Sequence, residues 1–317
     1  MGSNNLPLLT VICTSYNHEN FITKCLDGFV MQQTNFSFEV IVHDDASTDN
    51  TVQIVREYES KYPYLFNNIY QKENQYSKNE VNIWSHIMFP KARGKYIAIC
   101  EGDDYWTDPL KLQKQVDFLE ANSEFGLCHT DYSRYIQTTQ KSLYHGIQPR
   151  TIDVFYGLIK AEYPIGTLTT VFRNEIWKDY INDVDLENRN WLMGDLPFWM
   201  YLSRAHKVHY IDDITAVYRV IEESASNTHE IDKMIRFDES VKEVKLFFLE
   251  KYATDYTNIN KIKREVEAIY IYRKIIAYAK CNGNLNNFFY LLFQFHKINR
   301  EPRHFFGSFK QIFARLF

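Results

Sequence analysis

From Leu8 onward the chain alternates short apolar runs with stretches of helical periodicity, the pattern of an α/β sheet. It predicts strands over Leu8 to Thr14, Phe38 to His43, Asn68 to Gln71 and Lys95 to Cys100. Between them it predicts helices over Phe21 to Gln33, Asp49 to Tyr62 and Asn79 to Met88. Such alternation implies parallel neighbouring strands, and open sheets of this type bind ligands beyond the carboxyl ends of their strands. After about residue 125 the order becomes mixed, with strands expected at Gly126 to Tyr132, Leu168 to Phe172 and Ala216 to Val220, and a helix near Leu196 to Ala205. Beyond Thr228 the pattern is helical to the end. No internal repeat or low-complexity linker interrupts the chain. The reading gives one catalytic domain, residues 1–227, divided near residue 125 into a nucleotide-side and an acceptor-side half, followed by a helical extension over 228–317.

Three of the expected strand ends are polar: Thr14-Ser15-Tyr16-Asn17, Asp44-Asp45-Ala46-Ser47-Thr48-Asp49 and Gly102-Asp103-Asp104. All should converge on one cleft. The third is the most constraining, because the apolar run Tyr96 to Cys100 passes directly into Glu101, Asp103 and Asp104 around a glycine. Acids crowded at a strand end repel one another unless a cation holds them, and hard oxygen ligands suit Mn²⁺ or Mg²⁺ carrying ligand phosphates. The plainer alternative is that the pair ends a strand and caps the following helix. Asp108, immediately before Pro109, already fits that cap.

Composition narrows the classes. A net charge of −4 offers no case for nucleic acid, and aromatic content is high, with 23 Tyr and 23 Phe. Five scattered cysteines without a CxxC argue against a disulfide framework or zinc site and for a reducing, cytoplasmic compartment. The start, MGSNNLPLLT, lacks the basic and apolar segments of a secretory signal, and Leu6 breaks the myristoylation pattern. No apolar run approaches the roughly 20 residues of a membrane span. GxSxG, P-loop and GxGxxG motifs are missing, which removes support for hydrolase, kinase and dehydrogenase readings.

TSYN after the first strand, HDDASTD after the second and EGDDYWTDP after the fourth together resemble the family 2 glycosyltransferases of GT-A fold, over residues 6 to about 220. The resemblance implies a Rossmann-like nucleotide-binding sheet with a mixed acceptor-side half, and an inverting, metal-assisted transfer from a nucleotide-sugar donor to an acceptor hydroxyl of a glycan or lipid-linked molecule. Carried over residue by residue, it gives Thr14 and Tyr16 to the nucleotide base. Asp45 accepts from a base N–H, which favours uridine. Asp103 holds ribose or a metal-bound water, and Asp104 the metal. Asp49 reads as a helix-entry acid instead. The general base opens a later helix, and the matching stretch, Trp191 to Trp199, offers Asp195, with Gly194 where the family commonly has another acid. Asp195 also reads as an N-cap ahead of Pro197, and the two readings are compatible. Arg219, in Val217-Tyr218-Arg219, is a phosphate ligand or the partner of Glu222 and Glu223, and the histidine many relatives place nearby is missing. The Gln-x-x-Arg-Trp element of processive synthases is also missing, which favours single additions. Two other classes stay open: a sugar nucleotidyltransferase, although Ser15 to His18 is not its Gly-rich basic loop, and an inactive nucleotide-sugar-binding relative.

The end of the chain differs in charge. Residues 281–317 hold five Lys or Arg (Lys297, Arg300, Arg303, Lys310, Arg315) against Glu301, a formal +4, which leaves −8 for the first 280 of a chain totalling −4. Phe305, Phe309, Ile312, Phe313 and Leu316 share a helical face. That face suits peripheral contact with an anionic membrane, at the inner face of the cell membrane, or packing against the catalytic domain or a second subunit in a homodimer.

Overall fold

The computed structural model of the protein describes residues 6–78, 82–145, 153–186, 189, 191–221, 230–253, 256–280 and 290–295. The chain divides into two compact units. The first comprises Met1–Val154, Tyr163–Leu186 and Tyr201–Val220, the second Phe155–Glu162, Glu187–Met200 and Ile221–Phe317.

The first unit is built on one mixed sheet. Its parallel part consists of β1 (Leu9–Ser15), β2 (Phe38–Asp44), β3 (Ile69–Tyr70) and β4 (Tyr96–Ile99), with β1 at the centre paired to β2 and β4. β1 and β4 are almost wholly buried, as expected of strands covered on both faces. Helices α1 (Ile22–Val30) and α2 (Thr51–Lys61) connect the first three strands, and α1 buries Ile22, Cys25, Leu26 and Phe29 on one stripe. The sheet continues through β5 (Tyr105–Trp106), β6 (Phe125–Ile136), β7 (Lys141–His145), β8 (Val171–Arg173) and β9 (Lys207–Val220). Among the described residues the strand order is β3-β2-β1-β4-β8-β6-β9-β5, with β7 on β6. The expected α/β class and the change from parallel to mixed order are both observed.

Several boundaries differ from expectation for local reasons. Of the helix expected over Asn79 to Met88, residues 79–81 lie outside the described residues, and the rest is a single wide turn, Ile83–Met88, followed by a tight turn, Phe89–Lys91, containing Pro90. Proline cannot extend the first turn, and Phe89 instead stacks on Trp177 with ring centres 3.9 Å apart. Leu168 lies in a short turn, Thr167–Thr169, before β8. The strand around Ala216 begins at Lys207, where it pairs with β6; this first part is half-exposed and carries no apolar run to announce it. The helix after Pro109 is α3 (Lys111–Ala121) and starts later than expected; Asp108 accepts the Leu110 N–H (2.8 Å) ahead of it.

The second unit holds α7 (Ile231–Tyr252) and α8 (Ile259–Lys280), α4 (Val154–Lys160) from Phe155 onward and α6 (Asp195–Ala205) as far as Met200, while α5 (Asn174–Asp183) belongs to the first unit. Val244, Phe248, Leu249, Val266 and Ile275 are buried. Asp238 pairs with Arg273 at 2.7 Å. Residues 303–317, with the phenylalanine face read from sequence, lie outside the described residues, as do Glu222 and Glu223.

Candidate active site

The carboxyl ends of β1, β2 and β4 are neighbours in the sheet, so the three polar strand ends come together. They are also bonded to one another. The Asp45 N–H donates to the Ser15 carbonyl (3.0 Å), and the Gly102 N–H to the Thr14 carbonyl (2.9 Å). Asn17 takes a left-handed backbone (φ 53°), which its short polar side chain tolerates, and its Oδ1 accepts from Thr48 N–H at 2.8 Å. Ala46 is also left-handed (φ 63°), held there because Asp44 accepts both the N–H (2.9 Å) and the hydroxyl (2.5 Å) of Ser47. Asp49 accepts from Thr51 N–H (2.9 Å) and Glu19 N–H (3.0 Å), the helix-entry role read from sequence.

Asp45 is 3% exposed, and its two carboxylate oxygens accept the main-chain N–H of Gln75 (2.7 Å) and Tyr76 (3.0 Å). Each carboxylate oxygen has two lone pairs, so the clip orients the group and leaves acceptor capacity on both. Tyr16 is exposed.

Glu101, Asp103 and Asp104 bring carboxylate oxygens within 4.8 Å of one another. Asp104 is buried, Asp103 half-buried and Glu101 exposed. Burial, with the neighbouring charges of Asp103 and Glu101, holds the Asp104 carboxyl well above the ordinary carboxylate range. Gly102 makes the turn possible: a Cβ there would lie 2.8 Å from His18 Nδ1 and 3.0 Å from the Ser15 Cβ. His18 Nδ1 itself is buried and has no hydrogen-bond partner among the described residues.

β5 explains where Arg219 falls. Tyr105 pairs with Val217 in an antiparallel ladder, so Arg219 runs alongside Asp103. The Arg219 main-chain N–H donates to Asp104 Oδ1 (2.7 Å), its Nε to the Asp103 carbonyl (2.7 Å) and its Nη1 to Gln137 Oε1 (2.8 Å). The guanidinium is buried, with its carbon 4.8 Å from the Phe21 ring centre and 5.3 Å from that of Tyr105. Arg219 therefore braces the acidic turn through its main-chain N–H and its Nε, while Nη1 ties the guanidinium to Gln137. Neither this bracing nor the Gln75–Tyr76 clip was visible in the sequence; Gln137 carries no motif, and main-chain donors have no side-chain signal. Glu101 was visible as the third acid of EGDD.

Asp195 belongs to the second unit and opens α6, its carboxylate accepting the Leu196 N–H at 2.7 Å. The segment leading to it is fixed on α7: Leu192 N–H donates to Ser240 Oγ (2.9 Å), Trp191 packs on Phe247 (5.4 Å) and Arg189 lies 3.8 Å over the Phe247 ring.

An α/β sheet with acids gathered beyond its parallel strand ends, three of them spaced for a hard cation, marks the carboxyl ends of the strands as the ligand site. The chain belongs to glycosyl transferase family 2, whose family model matches residues 10–179. It is 47% identical over 124 residues to an uncharacterised protein of Mycobacterium tuberculosis, 38% of this chain and 34% of that one, so it spans about a third of the length of these curated relatives. It is 24% identical over 241 residues to the Escherichia coli UDP-Glc:alpha-D-GlcNAc-diphosphoundecaprenol beta-1,3-glucosyltransferase WfaP, 75% of this chain and 87% of that one. In fold it resembles S. aureus TarS 1–349 in complex with UDP (TM-score 0.57, 18% identity, 86% of this chain and 79% of that one). It also resembles the mannosyltransferase PcManGT from Pyrobaculum calidifontis in complex with GDP-Man and Mn²⁺ (TM-score 0.54, 16% identity, 99% and 86%).

Proposed function

We propose that this chain is an inverting glycosyltransferase that moves a sugar from a uridine-diphosphate donor to an acceptor hydroxyl in cell-envelope polysaccharide or glycoconjugate synthesis. The observation that carries the reading is the gathering of Asp45, Asp103 and Asp104 beyond β2 and β4, with β1 and Tyr16 between them. Asp45 accepts an N–H from the base edge, Thr14 and Tyr16 flank the base, and Asp103 holds ribose. The donor set fits a divalent cation: three hard oxygens lie close together, and burial with the charges of Asp103 and Glu101 disfavours Asp104 as an anion more than Arg219 favours it. Asp104, with Asp103 and Glu101, would hold Mn²⁺ or Mg²⁺, and such an ion supplies positive charge against the diphosphate leaving group.

In the transfer the acceptor oxygen forms a bond to the anomeric carbon as the bond from that carbon to the diphosphate oxygen breaks. Attack from the opposite face inverts the centre. The acceptor proton passes to the Asp195 carboxylate, and the nucleoside diphosphate departs. The name of WfaP supports both a uridine donor and a lipid-linked acceptor, while the GDP-Man held by PcManGT supports the alternative donor. A lipid-linked acceptor would place the enzyme at the cytoplasmic face of the membrane. No helix among the described residues is long and apolar enough to cross a membrane, and the basic tail is the element available for surface contact.

Calorimetric titration with UDP and GDP, with and without Mn²⁺, tests the donor; tighter binding of GDP sinks the uridine assignment. Transfer measured for Asp195→Asn tests the base. The substitution keeps size and hydrogen bonding but removes proton acceptance, so turnover should fall by roughly 10² or more with UDP affinity unchanged. Near-normal turnover would move the role to another acid.

A further inference from the structure

We propose that Tyr76 forms a second aromatic wall of the nucleotide-base site, opposite Tyr16, with a pyrimidine as its occupant; this rests on the nucleotide-sugar reading above. Asp45 is the pivot. Its main-chain N–H is bonded to the Ser15 carbonyl, which places the residue preceding Tyr16 against it on one side. Its carboxylate is bonded to the main-chain N–H groups of Gln75 and Tyr76, which places Tyr76 against it on the other. One buried acid is thus bonded to the residue before Tyr16 and to the main chain of Tyr76, and both tyrosines are exposed, Tyr16 at 45% and Tyr76 at 62%.

The loop that carries Tyr76 is self-bonded. Asn74 Oδ1 accepts the Ser77 N–H (2.7 Å), the Ser77 hydroxyl donates to the Asn74 carbonyl (3.1 Å), and Lys78 pairs with Glu73 at 2.5 Å. Combined with the clip on Asp45, these bonds fix the Tyr76 backbone beside the acid. A pyrimidine base presents two π-faces and, in uracil, a single ring N–H at its edge. Two tyrosine rings and one carboxylate with lone pairs to spare match that chemistry. An exposed tyrosine alone means little, and Tyr64, fully exposed in the same unit, shows the contrast: among the described residues nothing ties its backbone to a buried acid.

The test is titration of the full chain with UDP in Mn²⁺ for wild type, Tyr76→Ala, Tyr76→Phe and Tyr64→Ala, alongside inorganic pyrophosphate in Mn²⁺. Base stacking on an aromatic side chain implies that Tyr76→Ala weakens UDP binding by about 5- to 100-fold. Tyr76→Phe should bind within about twofold of wild type because the ring is retained. Pyrophosphate affinity should not change in any variant, since it has no base, and this separates stacking from a general loss of fold. Equal UDP affinity in Tyr76→Ala and wild type overturns the wall while leaving the glycosyltransferase reading intact. Equal losses for UDP and pyrophosphate also overturn it, by making Tyr76 a structural residue. Wild type that binds no nucleoside diphosphate overturns both.

Discussion

The two ends of the central parallel strands treat buried acids in opposite ways. Near the start of β2, Glu39 is 2% exposed and fully answered within the fold. It accepts from the Thr10 hydroxyl (2.8 Å), the Arg93 N–H (3.0 Å) and the Arg93 Nε (2.9 Å) and Nη2 (2.5 Å). Beyond the far end of β4, no Lys or Arg side chain among the described residues forms an ion pair with Asp103 or Asp104, and Asp104 is as buried as Glu39. Arg219 gives its Nε and Nη1 to a carbonyl and an amide, and its charge opposes the effects of burial, Asp103 and Glu101 on Asp104 without overcoming them. Glu39 with Arg93 is a complete pair and contributes stability. Asp104 is held in place but not neutralised, which costs stability that a bound cation would offset. Placement in the sheet is the same; what differs is whether the fold itself supplies the countercharge.

The contrast is broken most sharply at Asp104. Asp104→Asn keeps an oxygen for the Arg219 N–H but cannot carry charge. Metal-dependent UDP binding should weaken by about 10²-fold or more, beyond the 10- to 100-fold typical of second-shell ligands. Thermal stability in the absence of metal should stay level or rise, because a buried acid facing two others has been removed. Retained Mn²⁺ dependence in calorimetry would put the ion elsewhere.

At the other end the signs reverse. Glu39→Gln removes the charge opposite Arg93 while that side chain remains partly solvated, so stability should fall by about 2 kcal/mol, measured by urea unfolding. UDP affinity should be unchanged. A variant with weakened UDP binding and intact stability would show that the two ends are not separate in function.

How far this division was legible follows from the kind of signal each part leaves. Strands β1, β2 and β4 announce themselves because burial on both faces demands largely apolar runs, and the acids that follow them stand out against those runs. The brace behind the acids did not announce itself. β5 is two residues long, and the first part of β9 is half-exposed, so only Ala216 to Val220 read as a strand and the pairing that sets Arg219 beside Asp103 could not be foreseen. Helix α5, Asn174–Asp183, was missed although Ile176, Trp177 and Tyr180 mark its buried face. The Gln75 and Tyr76 donors to Asp45 are main-chain groups, which every residue has. The acid Asp195 was legible as a helix opener, but its support on Ser240 and Phe247 depends on contacts about 50 residues apart that no local pattern encodes.

The smallest predicted effect concerns Lys111, a buried cation at the start of α3 that is paired with neither Glu39 nor Asp104. It is fully buried, its Nζ donating to Gln115 Oε1 (2.7 Å) and lying 4.5 Å over the Trp106 ring. Burial pushes its pKa down to about 7, against the small opposing effects of Cys100, Cys128 and Asp108. In the unfolded chain the group stays protonated to about pH 10.4. The unfolded state therefore binds more protons from about pH 7 upward to that value, and stability rises with pH across this window. The penalty is at its fullest below about pH 7 and fades as pH rises. In Lys111→Met the penalty is absent, although Gln115 Oε1 loses a donor. The stability of the variant relative to wild type, measured by urea unfolding, should thus fall by about 1 kcal/mol between pH 6 and pH 8, whatever its sign at either pH. Asp104 titrates in both proteins and cancels from the difference. A difference that does not change with pH would mean that Lys111 keeps its proton inside the fold, and that the first unit holds a buried positive charge with no acid bonded to it.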